Sequence, residues 1–347
     1  MQTQVITANV KKNIELAADC LLKGGLVAFP TETVYGLGAD ATSREAVSGI
    51  FTAKGRPAAD PIIVHLDSTD MLPSVASEVP EAARQLADTF WPGPLTLILP
   101  KAAAIPDIVT SNLPTVAVRM PRNETALALI RAAGVPVAAP SANSFGRPSP
   151  TCARHVIDDL DGKIDLVLDG GPTPVGIEST ILDMTTTPPV ILRPGGISRE
   201  SLASVLGEVS ILATSEHEDL RAPGQMKQHY APKALVLLFA GRNRQKVIAA
   251  MRDRAIELAR SAKTGIMVPQ EEVSQFNGLS ENVITVSTGA LTDPEETARG
   301  LFSTLRELDK KGVSHILTIA PAKEGIGLAL FDRLYKSAGS RIITVDG

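Results

Sequence analysis

Apolar residues recur at helical spacing near the start of the chain. Val10, Ile14, Ala17, Ala18 and Leu21 predict a helix over residues 9–22, and Gly24-Gly25 ends it. The run Leu26-Val27-Ala28-Phe29 then predicts a short buried strand delivering Pro30-Thr31-Glu32-Thr33 to a loop. Further apolar runs predict strands at 62–66, 95–99, 115–118, 135–139, 165–168, 179–183 and 190–192. Helical patterns lie between some of them, notably 81–90 and 124–133. The mixture predicts an α/β domain built on a large, twisted, mixed and partly parallel sheet with helices.

The pattern lapses from about 210 to 232. Residues 214–219 are polar, and Ala222-Pro223-Gly224-Gln225 continues neither a helix nor a central strand. A second alternation follows, with strands at 235–239, 264–268, 283–286, 315–319 and 341–345 and helices at 244–260 and 328–337. A further helix starts with Asp293 as N-cap, Pro294 at N1 and Glu296 at N3, a capping-box arrangement. Its predicted apolar face is Ala298, Leu301, Phe302, Leu305 and Leu308, and Gly312 ends it. This predicts a smaller C-terminal βα domain of Rossmann-like type. The expected boundaries are 1–207 for a first domain, 208–233 for a linker or lid, and 234–347 for the second domain. No internal repeat or low-complexity tract is evident.

Composition narrows the class. Of 347 residues, 44% are hydrophobic and 21% charged, which suits a globular chain rather than a disordered one. The net charge of −4 argues against a dedicated nucleic-acid binder, and a local basic pocket stays open. Cys20 and Cys152 have no metal-ligand spacing and suggest reduced thiols. The N-terminus lacks a basic segment followed by an apolar one, and no run approaches the ~20 apolar residues that span a bilayer. A cytoplasmic location without membrane association is therefore expected.

Two short motifs stand apart from the core pattern, Lys54-Gly55-Arg56-Pro57 and Ser141-Ala142-Asn143. Cations one residue apart are buried cheaply only if they face anions. Ser141 and Asn143 follow the apolar run 135–140, where a buried strand ends and binding groups collect. Arg119 and Arg193 each end an apolar strand, where a guanidinium grips a carboxylate or phosphate, or simply forms a structural ion pair. No P-loop is present, and Tyr35-Gly36-Leu37-Gly38 holds only half of a dinucleotide fingerprint. His65 ends an apolar strand and reads as a satisfied core residue or a ligand contact. Thr31, Glu32 and Thr33 suit a helix cap or a polar loop at a site. Trp91-Pro92-Gly93-Pro94 reads as a rigid structural turn, and residues 176–180 set more hydroxyls beside a strand. With no Ser/His/Asp or Cys/His triad in view, these residues point to a pocket that positions anions.

Taken in order, these islands resemble the YrdC-like threonylcarbamoyl-AMP synthases, in the long form with an extra C-terminal domain. The resemblance rests on residues 29–38, 54–57, 140–143, Leu192-Arg193-Pro194-Gly195 and His229-Tyr230-Ala231-Pro232. It implies a nucleotidyltransferase that condenses L-threonine, bicarbonate or CO2, and ATP into L-threonylcarbamoyladenylate, releasing pyrophosphate. The product would pass to a tRNA threonylcarbamoyl transferase, for modification of the adenosine next to the anticodon. The resemblance implies that Thr33, His65, Arg119, Ala139 and Ser179 bind threonine. It places Arg56, Asp60, Thr115, Ser141, Asn143, Ser149, Arg193 and Tyr230 at ATP, with Lys54 and Arg56 as the catalytic cations. Mg2+ is expected with ATP. Members commonly read Ser-Asp-Asn-Pro after the Arg-Pro pair, where this chain has Ala58-Ala59-Asp60-Pro61; a carboxylate there suits a metal or a ribose hydroxyl. The competing readings are an RNA-binding module of the same fold, a hydrogenase-maturation type of carbamoyltransferase, which the two isolated cysteines exclude, and a nucleotide-dependent regulator. Residues 222–232, with Pro223-Gly224 as hinge and Tyr230 as cover, are expected to form a lid.

Overall fold

The computed structural model describes residues 2–212, 221–226 and 229–345. The polar stretch 214–219 therefore lies outside the described residues. The chain divides into two compact units, Met1–Phe145 with Ser149–Gln225, and Gly146–Pro148 with Met226–Gly347.

The first unit runs β1 (Gln4–Thr7), α1 (Lys11–Leu22), β2 (Val27–Pro30), β3 (Tyr35–Asp40), α2 (Arg44–Lys54) and β4 (Ile63–His65). It continues with α3 (Leu72–Val75), α4 (Glu81–Phe90), β5 (Leu95–Pro100), α5 (Asp107–Thr110), β6 (Thr115–Arg119), α6 (Glu124–Ala133) and β7 (Val137–Ala138). It ends with α7 (Ala153–Leu160), β8 (Leu166–Asp169), β9 (Thr180–Asp183), β10 (Val190–Arg193), α8 (Arg199–Leu206) and β11 (Ser210–Ile211). The strands form one mixed sheet in the order β1-β8-β2-β3-β7-β4-β6-β5-β9-β10-β11. Alternate residues of β2 enter different cores. Ala28 joins the apolar layer containing Leu37, Ile50 and Val64, while Val27 and Phe29 join α1 and α6. Burial on both faces explains why the strands read as unbroken apolar runs.

Strand β3 and helix α2 are among the elements that escaped the hydrophobic pattern. Strand β3 was masked by Gly36 and Gly38, which read as half of a fingerprint. These glycines sit in an antiparallel ladder opposite Phe29 and Val27. A Cβ at Gly38 would lie 2.8 Å from Phe29 Cε1 and 2.9 Å from Val137 Cγ1, so the glycine admits the aromatic ring. Helix α2 was masked by a thin apolar stripe of Ala46, Val47, Ile50 and Ala53. Ser43 caps it through Ala46 N, and Gly55 stops it in the left-handed region at φ 65°.

The second unit runs β12 (Leu235–Ala240), α9 (Arg244–Ala259), β13 (Thr264–Val268), β14 (Val283–Ser287), α10 (Pro294–Lys310), β15 (His315–Ile319), α11 (Gly327–Ser337) and β16 (Ile343–Thr344). Its five strands are parallel, in the order β14-β13-β15-β12-β16. Counted from β12 this is 3-2-4-1-5, whereas the Rossmann order is 3-2-1-4-5. The expectation holds for a parallel α/β unit and fails in strand order, because periodicity reports burial and not which strands become neighbours. The capping box is half formed. Asp293 accepts from Glu296 N at 2.9 Å, but the Glu296 carboxylate accepts from Ala290 N at 2.8 Å. The thiols of Cys20 and Cys152 are both free, and burial pushes the Cys20 thiol up to about 11, so it is a poor nucleophile. No helix among the described residues is long and apolar enough to cross a membrane.

The packing at Gly38 gives a direct test. Gly38→Ala should lower stability by about 1–3 kcal/mol through overpacking. Urea unfolding checks this; an unchanged midpoint would show that the Phe29 ring moves aside freely.

Candidate active site

The motifs Lys54-Gly55-Arg56-Pro57 and Ser141-Ala142-Asn143 meet in space. Lys54 is the last residue of α2, and its ammonium donates to Ser141 O and Asn143 O, each at 2.5 Å. Phe145 N in turn donates to Lys54 O at 2.8 Å. The end of α2 thus clamps the loop that follows β7. Carbonyl dipoles, rather than the anions expected from the sequence, are the partners drawn to this ammonium here. Arg56 closes its own loop, donating through Nε to Asp60 O at 3.1 Å and through Nη2 to Pro61 O at 2.8 Å.

Asp60 has a cation close by. Its buried carboxylate lies 2.9 Å from Arg56 Nη2, and neither oxygen has an aligned hydrogen bond among the described residues. Burial pushes its ionisation up, against the opposing pull of Arg56, Lys54 and Arg193. Three of the four predicted cations therefore act on one carboxylate.

A second group forms where β4, β6 and β7 lie side by side. His65 is in register with Arg119 on one side and Val137 on the other. Arg119 donates to Thr33 Oγ1 at 3.0 Å and to Gly93 O at 3.2 Å. The turn at 91–94 is thus more than structural, since its Gly93 carbonyl orients this guanidinium. Arg119 Nη2 sits 2.7 Å from Glu32 Oε1, yet neither atom has an aligned hydrogen bond. The pair attracts as charges and leaves donor capacity on Nη2. Thr31, Glu32 and Thr33 are not a helix cap. The Thr31 hydroxyl lies 2.8 Å from that of Thr33 and accepts from Val34 N, forming a tight polar turn. His65 packs edge-on to Phe29, with ring centroids 6.2 Å apart. Burial, and secondarily Arg119, lower its pKa to about 3, so it is neutral across the physiological range.

Ser179 joins the two predicted residue sets. Its hydroxyl lies 2.8 Å from Thr96 Oγ1 and accepts from Arg193 Nη2 at 3.1 Å. Arg193 also donates to Ser179 O at 3.0 Å and to Pro223 O at 3.2 Å. Ala139 N donates to Ile63 O at 2.9 Å, which ties the chain leading to Ser141 against β4. Ser149 donates to Glu178 Oε1 at 2.5 Å. Thr115 opens β6 at the end opposite Arg119 and stands outside these hydrogen bonds. Tyr230 belongs to the second unit, where its ring packs 5.5 Å from Phe302 and 5.1 Å from the Arg333 guanidinium.

Sequence reasoning passed over Thr96, took Glu178 only as part of a hydroxyl-bearing stretch, and left Glu32 between a helix cap and a polar loop at a site. Thr96 was visible as a polar residue inside an otherwise apolar strand, and Glu178 as a charge beside Ser179. A broad groove of about 880 Å³ along α1 and α6, lined in part by Asn9, Ile14, Glu124 and Gly170, contains none of the predicted site residues. Among the described residues no His, Cys, Asp and Glu group could hold a metal ion by itself.

The arrangement is a floor of fixed cations and hydroxyls with no nucleophile–base–acid relay. Much of its donor capacity rests on backbone carbonyls, which an anionic substrate outcompetes through stronger charge-assisted bonds. Fold and site together define an anion-positioning α/β protein. The family model described as "Telomere recombination" (Sua5_yciO_yrdC) matches residues 19–195, and that described as "Threonylcarbamoyl-AMP synthase, C-terminal domain" (Sua5_C) matches 197–339. The chain is similar to the threonylcarbamoyl-AMP synthase of Pyrococcus abyssi, at 45% identity over 98% of this chain and 99% of that protein. It is also similar to the Bacillus subtilis threonylcarbamoyl-AMP synthase, at 42% identity over 95% of this chain and 94% of that protein. The crystal structure of P. abyssi Sua5 complexed with L-threonine matches with TM-score 0.92 at 43% identity, covering 99% of this chain and 100% of that one. The chain belongs to the Sua5/YciO/YrdC family, in the form that carries the Sua5 C-terminal domain.

The neutral His65 has a consequence for stability. Its folded pKa lies below the ordinary value of 6.5, so the unfolded chain binds the proton first as pH falls. Stability should decline from pH 6.5 down toward 3, by up to about 1.4 kcal/mol per pH unit from this group. Urea midpoints between pH 6.5 and 4 should fall less steeply in His65→Gln. An identical slope would mean that His65 ionises freely in the folded protein.

Proposed function

We propose that this chain is an L-threonylcarbamoyladenylate synthase, a nucleotidyltransferase acting on L-threonine, bicarbonate or CO2, and ATP. The observation that carries the reading is the set of buried cations, Lys54 on the 141–143 loop, Arg56 beside Asp60 and Arg193 on Ser179, together with the Arg119–Thr33 pair. The name shared by its full-length relatives supports it. Arg119, Thr33, His65, Ala139 and Ser179 form the threonine subsite. There the spare donor capacity of Arg119 suits the carboxylate, and a hydroxyl from Thr33 or Ser179 suits the threonine side chain. Lys54, Arg56, Ser141, Asn143, Ser149 and Arg193 receive the nucleotide, with Thr115 and Tyr230 as further contacts. Asp60 acts as the resident counter-charge of Arg56 rather than as a ligand of the ribose.

The chemistry needs no protein nucleophile. The neutral amine of threonine attacks CO2, forming an N–C bond and releasing a proton to solvent. A carbamate oxygen then attacks the α-phosphorus, and pyrophosphate leaves. Both partners in the second step are anions, so fixed cations that offset their repulsion are the main requirement. Holding the two in line contributes on the order of 7–11 kcal/mol. Mg2+ enters with ATP and supplies charge neutralisation at the phosphates.

The domain roles follow the same reading: a catalytic domain over 1–207, a lid over 208–233 and a supporting parallel α/β domain over 234–347. The start of the lid is anchored on the first unit through Pro223 O to Arg193 and through Arg221 to Asp183 at 2.8 Å. Closure there shields a labile adenylate from water. The product goes to a tRNA threonylcarbamoyl transferase in the cytoplasm, with no stable nucleic-acid complex and no membrane association of this chain.

Pyrophosphate release with ATP, Mg2+ and bicarbonate tests the assignment. Release should depend on threonine and fall at least about 100-fold in Lys54→Ala and Arg56→Ala. Threonine-independent release, or salt-dependent tRNA binding without ATP consumption, would overturn it. Asp60→Asn removes a negative charge beside the nucleotide and should lower the KM for ATP about fivefold, roughly 1 kcal/mol. An unchanged or raised KM would place Asp60 in direct contact with the substrate. Truncation from residue 208 should lower turnover and shorten the lifetime of the intermediate, with circular dichroism reporting that the fragment is folded.

A further inference from the structure

We propose that the second unit carries its own small-molecule site, built to take a small carboxylate with an apolar body. A cavity of about 260 Å³, near the small end of the ligand-pocket range, lies beyond the carboxyl ends of β13, β14 and β15. These three strands are adjacent in the sheet. Pro269, Thr288 and Ala320, each just past its strand, line the cavity. In open parallel α/β sheets this end of the strands is where ligands bind.

The walls are apolar. Leu301 of α10 and Leu330 and Leu334 of α11 supply them, a surface suited to a hydrocarbon body. Two observations point to a polar end on the ligand. First, Thr318 of β15 lines the cavity at 4% exposure, and its hydroxyl makes no hydrogen bond among the described residues. The hydroxyl is open to the cavity without a protein partner, so it can bond a ligand oxygen there. Second, α11 opens onto the same cavity at Gly327, and its N-cap, Ile326, supplies no capping oxygen. Gly327 N already donates to Glu324 O at 2.9 Å, no side chain of the N-cap meets the amides that follow, and the dipole of this eleven-residue helix favours negative charge.

The glycine at the helix start is required by close packing. A Cβ at Gly327 would lie 2.2 Å from Ala322 O. Arg244 adds a cation to the lining. Its Nε and Nη2 are held by Glu272 at 2.5 and 2.9 Å, which leaves Nη1 for a further acceptor. Glu324 also lines the cavity, but it is exposed and screened by water. Arg244 is already paired with Glu272, so the attraction for an anion rests on the helix start and the spare Nη1 donor. The site belongs to the second unit alone and does not rest on the activity proposed for the first.

Titration calorimetry on the full chain tests this with 4-methylpentanoate and its neutral amide, 4-methylpentanamide. The carboxylate should bind saturably at one site, and the amide at least about tenfold more weakly. Thr318→Val, nearly isosteric, should weaken carboxylate binding by about fivefold or more. Thr297→Phe, which fills the cavity, should abolish binding while leaving threonine-dependent pyrophosphate release unchanged. No saturable binding to the natural chain, equal binding of acid and amide, or binding unaffected by Thr318→Val would overturn the proposal. Thr318→Val keeps the test decisive if Thr297→Phe fails to fold.

Discussion

Burying several cations close together is the constraint on which the first unit depends. Lys54, Arg56, Arg119 and Arg193 are all nearly excluded from water. An isolated charge in that position would cost many kcal/mol, so each has oxygens built around it. Lys54 takes two carbonyls from the loop after β7, and Arg56 takes two carbonyls and a carboxylate from its own loop. Arg193 wraps the Ser179 hydroxyl and carbonyl, and Arg119 is divided between Thr33, Gly93 and Glu32. The loops are shaped by the charges as much as the charges are placed by the loops.

Such an arrangement holds positive charge ready without a bound anion. Asp60 partly offsets three of the cations, and the carbonyls share the rest. Carbonyl dipoles stabilise a cation less than a phosphate does, so the site keeps a bias toward anionic ligands. His65 stays neutral chiefly because it is buried, and the neighbouring Arg119 adds to that by disfavouring a second positive charge. The cost of the bias is met by the apolar layers on both faces of the sheet, which hold β4, β6 and β7 in register.

Much of this was legible along the chain. The helices at 81–90 and 124–133 match α4 and α6, because their apolar stripes are wide and their ends are marked. The cation motifs and Ser141/Asn143 stood out as polar residues beside apolar strands, and they do meet. What stayed hidden had low contrast or needed partners distant in sequence. Strand β3 was disguised by glycines whose purpose is to admit Phe29, and α2 by its small apolar residues. Glu32, Thr96 and Glu178 acquired meaning only through Arg119, Ser179 and Ser149.

The sequence by itself determined the two α/β alternations, the lapse between them and the identity of the polar residues at strand ends. These follow from local periodicity and residue chemistry, which need no knowledge of distant neighbours. Only the tertiary structure decided that the second sheet runs 3-2-4-1-5, that Asp60 faces Arg56, and that Lys54 grips carbonyls 87 and 89 residues away. Strand order, charge pairing and clamp are long-range choices, set by which surfaces pack and which buried charges must find oxygen, and no local pattern encodes them.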